Sequence, residues 1–144
     1  MRRTVAVLAL LLAACLSLTA VAGAATLKRS KARSVTRTVA VRATDRLDTS
    51  QLDDVTTVEV QKTTVGKKCR RRGSRRVDCG IRLRGVVHDP DLGNLAFDCR
   101  ARERVSYPSR RSRKIRKRAD RRRCSGNLAD LRNDLVAAFR RSLR

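Results

Sequence analysis

The chain has 144 residues, with 36 lysines and arginines against 13 acids and a single histidine, a formal charge of +23, and only three aromatic rings. That length leaves room for one core, and so few rings argue against a reader of stacked nucleic-acid bases. One histidine and no C-x-x-C pair exclude the usual zinc-binding spacings.

Arg2 and Arg3 precede an apolar run from Val5 to Leu18, and Ala22-Gly23-Ala24 supplies the small-x-small pattern of a signal-peptidase site. Cleavage between Ala24 and Ala25 removes 24 of the 144 residues and leaves 120. Two other readings stand beside this one. Leu12-Ala13-Ala14-Cys15 matches a lipobox, in which Cys15 takes a lipid and becomes the new N-terminus. Val5 to Ala25 also approaches the roughly 20 apolar residues of an uncleaved membrane anchor. Leu16, Leu18, Ala20 and Val21 carry the apolar run past Cys15, which favours the cleaved signal over the lipobox. An anchor flanked by Lys28, Arg29, Lys31 and Arg33 would hold the body in the reducing cytoplasm, against the cysteine pattern described below. Export is the favoured reading.

After the signal, residues 25–34 read as a basic, flexible leader, and 35–144 as one small domain. Val35, Val39, Ala43 and Leu47 recur every four residues and predict a helix, although the Thr/Val content there also suits a strand. In the strand before the hairpin, Val58 and Val60 differ in parity from Val65 and Cys69, which predicts a bulge or break between the two pairs. Cys69 and Cys79 flank an Arg-rich run centred on Gly73-Ser74, a short hairpin signal that sets the two cysteines opposite one another. Cys99 and Cys124 then pair by elimination. Each bridge contributes about 3 kcal/mol by restricting the unfolded chain.

Val77, Cys79, Ile81 and Leu83 alternate with polar residues, as do Leu95, Phe97, Cys99 and Ala101, so both stretches read as strands with one buried face. His88 and Asp89-Pro90-Asp91 lie in the turn between them. Beyond Pro108 comes the most basic segment, residues 110–123. It carries Arg110, Arg111, Arg113, Lys114, Arg116, Lys117, Arg118, Arg121, Arg122 and Arg123 against Asp120 alone. Asn127 can cap a final helix whose stripe is Leu128, Leu131, Leu135 and Phe139. The expected fold is α+β: a three-stranded antiparallel meander packed against one or two helices and stapled by disulfides.

A helix followed by a cysteine-flanked Arg-rich hairpin and a strand reading FDCRARERV, over roughly residues 35–107, resembles small secreted Arg-rich disulfide proteins of high-GC Gram-positive bacteria. The resemblance implies export and disulfides and brings no activity with it.

Removing Arg2 and Arg3 leaves 34 bases against 13 acids, an excess that attracts polyanions. Residues 110–123 are the sharpest candidate for binding them, balanced by a reading as a solvated loop; Arg70 to Arg76 form a second patch. His88 reads as a turn residue, and Asp89 and Asp91 as backbone caps. No nucleophile stands near them, and catalysis, a metal and a cofactor are not expected. The expected function is a secreted, non-enzymatic protein held by electrostatics to anionic polymers or lipid headgroups, without sequence-specific nucleic-acid recognition. The alternatives are an interaction or inhibitor-like module presenting the Cys69–Cys79 hairpin, and an envelope protein anchored through Cys15.

Overall fold

A computed structural model describes residues 25–50, 52 and 54–144. The signal run, Cys15 and Ala24 lie outside the described residues. Helix α1 (Arg29–Asp48) leads into β1 (Thr57–Val65), the two-residue β2 (Arg70–Arg71), β3 (Arg76–Asp89), β4 (Gly93–Ser106) and β5 (Arg116–Gly126). A 3₁₀ turn (Ala129–Leu131) then enters α2 (Arg132–Ser142). The antiparallel sheet runs β1-β3-β4-β5, with β2 extending the β1 side of β3. The α+β expectation holds, but the sheet has five strands rather than three.

The extra strand of consequence is β5, within the segment that reads as a basic loop. Its inward apolar residues, Ala119 and Cys124, stand five positions apart, so strict alternation cannot put both on one face. A bulge resolves this: Asp120 pairs with Arg102 and Arg123 with Arg100, leaving Arg121 and Arg122 opposite Ala101 alone. Arg121 takes φ 53° to make that turn. The parity slip expected in β1 is also a bulge, between Val60 and Lys62. There the Val60 N–H is received by Asp48 at the end of α1, at 2.7 Å.

Both helices cover one sheet face. From α1 that face takes Ala32, Thr36, Val39, Ala40, Ala43 and Leu47, a stripe that begins ahead of Val35. The buried Thr36 hydroxyl donates back to the Ala32 carbonyl at 2.9 Å, so the core accommodates it. The leader expected at 25–34 is not free: α1 starts at Arg29, Leu27 is fully buried, and its N–H donates to Ser74 at 2.8 Å. At the other end Leu128, Leu135 and Phe139 are buried as the stripe requires. Asn127 is not the cap, because the 3₁₀ turn intervenes and α2 starts at Arg132 without a side-chain cap.

The core falls into two clusters, and each contains one disulfide. Cys99 and Cys124, at a Cα separation of 4.0 Å, join the larger cluster with Leu83, Phe97 and Phe139. Cys69 and Cys79, 4.4 Å apart, join Leu27, Val77 and Val105. Cys99 and Cys124 are direct partners across β4 and β5, while Cys69 stands one residue ahead of β2, where the β2–β3 register carried on by one position meets Cys79. They require oxidising surroundings, as found outside the cytoplasm. Among the described residues no helix is long and apolar enough to cross a membrane.

Two glycines of β3 make opposite demands. A Cβ on Gly85 would lie 1.9 Å from the Glu59 carbonyl oxygen and 2.9 Å from the Phe97 ring, whereas one on Gly80 would meet nothing within 4 Å. Gly85→Ala is expected to cost about 2–4 kcal/mol of stability. Gly80→Ala should be neutral or stabilising by up to about 1 kcal/mol, since glycine weakens a strand interior. Urea unfolding of the two variants checks this, and equal losses would contradict the packing.

Candidate functional site

An antiparallel sheet covered on one side leaves its other face to water and to polar residues. Here that face is arginine. The pairing of β3 with β4 aligns Arg82 with Arg100, Arg84 with Asp98, and Asp78 with Arg104. The pairing of β4 with β5 adds Arg123 beside Arg100, Asp120 beside Arg102, and Arg118 beside Arg104. Alternate residues of a strand lie about 6.8 Å apart and neighbouring strands about 4.8 Å, so the face is a regular grid of cations.

Three carboxylates hold the grid in place. Arg82 Nε donates to both oxygens of Asp98 at 2.9 Å, and its Nη2 donates there too. Arg100 reaches the same carboxylate through Nη2 at 3.0 Å, and Arg84 stands 3.6 Å away. The Arg82 guanidinium, and after it that of Arg100, keep the Asp98 carboxyl well below the usual carboxylate range. Asp78 is surrounded by Arg72 at 3.4 Å and by Arg76 and Arg104, each at 3.6 Å. Arg104 also reaches Asp120 at 3.0 Å, and Arg118 joins it at 3.2 Å. Seven arginines thus share three acids. The arginine ends of these pairs reach solvent while Asp78 is buried beneath them, so the pairs are not a simple gain in stability. Their effect is to fix the guanidinium planes while leaving donors of each fork for another anion.

An open groove of about 910 Å³ crosses the middle of the face. Gly80 leaves the hollow, and Thr64, Arg82, Arg100, Arg102 and Arg123 stand around it. Among the described residues Arg102 and Arg123 form no ion pair. A second hollow of about 320 Å³, lined by Arg72, Arg76 and Arg121 among others, continues the surface from the hairpin to β5.

The ten cations singled out from sequence do not form one site. Arg116, Arg118 and Arg123 lie on the open face; Lys117, Arg118 and Arg122 line a cavity between β5 and the helices; Arg121, in the bulge, and Arg122 also reach the open groove. Arg110, Arg111, Arg113 and Lys114 sit on the exposed connection between β4 and β5. Sequence reading missed Arg82, Arg84, Arg100, Arg102 and Arg104. Their signal was present: they fill the outward positions of the two clearest alternating strands.

His88 lies in β3, not in the turn, and is held by Asn94 at 2.7 Å and Glu59 at 3.0 Å, partners that raise its pKa in that order. Asp89 Oδ1 receives the N–H groups of Asp91 and Leu92 at 3.0 and 2.8 Å, the cap its sequence suggested. No group of three or more His, Cys, Asp or Glu that could hold a metal ion is found among the described residues. No family model, curated protein or solved structure matches this chain.

One further ionisable residue was missed. Glu103 occupies an inward position of β4, between Cys79 and Ala119, and is 1% exposed. Burial pushes its pKa up to about 7, against the opposing charges of Lys117 and Arg122. Between its ordinary value and about 7 the folded chain keeps a proton that the unfolded chain releases, so stability falls as pH rises through that window. Glu103→Gln should remove this slope, and its advantage over the parent should grow to the order of 3 kcal/mol between pH 4 and pH 8. Thermal unfolding at both pH values measures it. An advantage independent of pH would contradict the assignment.

Proposed function

We propose that this protein acts outside the cytoplasm as a non-enzymatic binder of anionic envelope or extracellular polymers, through the arginine face of its sheet. The observation that carries this reading is the cross-strand grid, in which three aspartates position seven arginines without neutralising them. Planar guanidinium groups held in rows suit phosphate, to which each can donate two parallel hydrogen bonds. The rings support a backbone contact over a base contact. Phe97 and Phe139 are buried, and the half-buried Tyr107 beside the hairpin is one ring, too few to stack successive bases.

The hairpin favours this reading over a displayed recognition loop. Ser74 receives the Leu27 N–H at 2.8 Å, Arg75 receives that of Tyr107 at 3.0 Å, and Arg71 donates to the Leu27 carbonyl at 3.0 Å. The tip is docked against its own chain, and its arginines extend the face.

Two variants with the same net charge separate position from total charge. One replaces Arg82, Arg100, Arg102 and Arg123 on the face with Gln; the other replaces Arg110, Arg111, Arg113 and Lys114 on the connection. Binding to polyphosphate of defined length is measured across salt. The face variant is expected to lose at least about 10-fold more affinity, and its log–log salt slope to flatten by about 3. Polyglutamate in a parallel arm tests phosphate against carboxylate polymers. Indistinguishable variants would reduce the interaction to net charge and overturn the assignment to this face.

A further inference from the structure

A cavity of about 340 Å³ lies between α1, β5 and the end of α2, and at β5 it borders the arginine face through Arg118 and Arg122. Glu103 lines it, with Arg42 and Arg46 from α1, Lys117 and Arg122 from β5, and Arg144 after α2. Two buried atoms around it lack partners: Glu103 Oε2 accepts no hydrogen bond, and Arg122 Nε donates none. They do not satisfy one another. A buried orphan of either kind costs about 1–3 kcal/mol. An acceptor and a donor left open around one cavity describe a ligand that carries the complementary pair.

We propose that this cavity binds a small aminoalkyl phosphate, with its ammonium group on Glu103 and its phosphate on Arg122 and the surrounding cations. Inorganic phosphate meets only half of the site, because it brings an anion to the Glu103 carboxylate and no fixed cation. A simple amine meets the other half and must pass Arg42, Arg46, Lys117 and Arg144 to reach it. The cavity is at the small end of the range for small-molecule sites, which suits a two-carbon compound rather than a large one. This inference does not rest on the arginine face, so the two stand or fall separately.

The groups acting on Glu103 set the pH dependence. Burial opposes its carboxylate most, Lys117 and Arg122 from β5 favour it, and Asp120 opposes it; Arg42 and Arg46 from α1, Arg118 from β5 and Arg144 after α2 line the same cavity. An arriving ammonium favours the carboxylate further, so binding releases a proton and tightens as pH rises through about 7.

The test is calorimetric titration of the oxidised protein with phosphoethanolamine, inorganic phosphate and ethanolamine at pH 5.5 and pH 8. Phosphoethanolamine should bind saturably, at least about 10-fold tighter than either half alone, and about 10-fold tighter at pH 8 than at pH 5.5. Glu103→Gln should abolish the preference and reduce the pH dependence to that of the ligand's own second phosphate ionisation, which lies at about pH 6. Arg42→Ala with Arg46→Ala, on the exposed side of α1, should weaken binding whether or not the glutamate variant folds. The four-arginine face variant should bind phosphoethanolamine as the parent does. Phosphatidylcholine vesicles with and without phosphatidylethanolamine distinguish a lipid headgroup from the free compound. Glu103-dependent retention on the ethanolamine vesicles assigns the headgroup, and binding of the soluble compound alone assigns the free form. Equal affinity for phosphate and phosphoethanolamine, an unchanged Glu103→Gln variant, or no saturable binding at 10 mM overturns the proposal.

Discussion

The pairing of β5 with β4 is the constraint on which the rest of this fold depends. It sets Arg100 directly beside Arg123 and Arg104 beside Arg118, and like charges directly opposite on neighbouring strands repel. Little apolar burial offsets this, since Ala119 and Cys124 are the only buried residues of β5. Two things hold the strand. Asp120 stands beside Arg102 and takes Arg104 and Arg118 as partners, and the Cys99–Cys124 bridge ties β5 covalently to the centre of the larger core. The bridge does for β5 what a row of valines does for an ordinary strand.

That constraint connects stability to the proposed function. A strand kept in place against its own charge completes a surface that gains when an anion arrives, because the anion relieves repulsion built into the native state. A ligand that binds only the folded form stabilises it by mass action. The same bridge demands oxidising surroundings, so the compartment in which the fold is secure is also one in which envelope and extracellular polymers are met. The two sides of the sheet then use their cations differently. The open face spreads arginines across a grid fixed by three acids, while the helix side gathers a few around one buried carboxylate.

Much of this was legible in the residues. The alternation of Val77 to Leu83 and of Leu95 to Ala101 marks the inward rows of β3 and β4, and the misaligned valines of β1 announce its bulge. The cysteine-flanked Gly73-Ser74 hairpin indicates one bridge, and elimination supplies the other. β5 stayed hidden because its bulge breaks the period-2 pattern and its composition is that of a solvated loop. The arginine face was hidden for another reason: its arginines are spaced singly along β3 and β4, alternating with a buried face, and form no dense run of charge. Glu103 carried a signal of its own, a charged residue at an inward position between Ala101 and Val105. Its cavity depends on where α1 and the end of α2 converge, which no local pattern encodes.

The most direct measurement is amide hydrogen exchange along β5 in the oxidised parent and in a Cys99→Ala/Cys124→Ala variant that keeps the other bridge, at low salt with and without polyphosphate. Exchange across residues 116–126 should accelerate by about 100-fold on loss of the bridge, the equivalent of about 3 kcal/mol, with much smaller changes in the β3 amides from 81 to 87. Polyphosphate should restore most of the protection. A β5 that stays as protected without the bridge as with it, or that ignores the polyanion, would contradict the account.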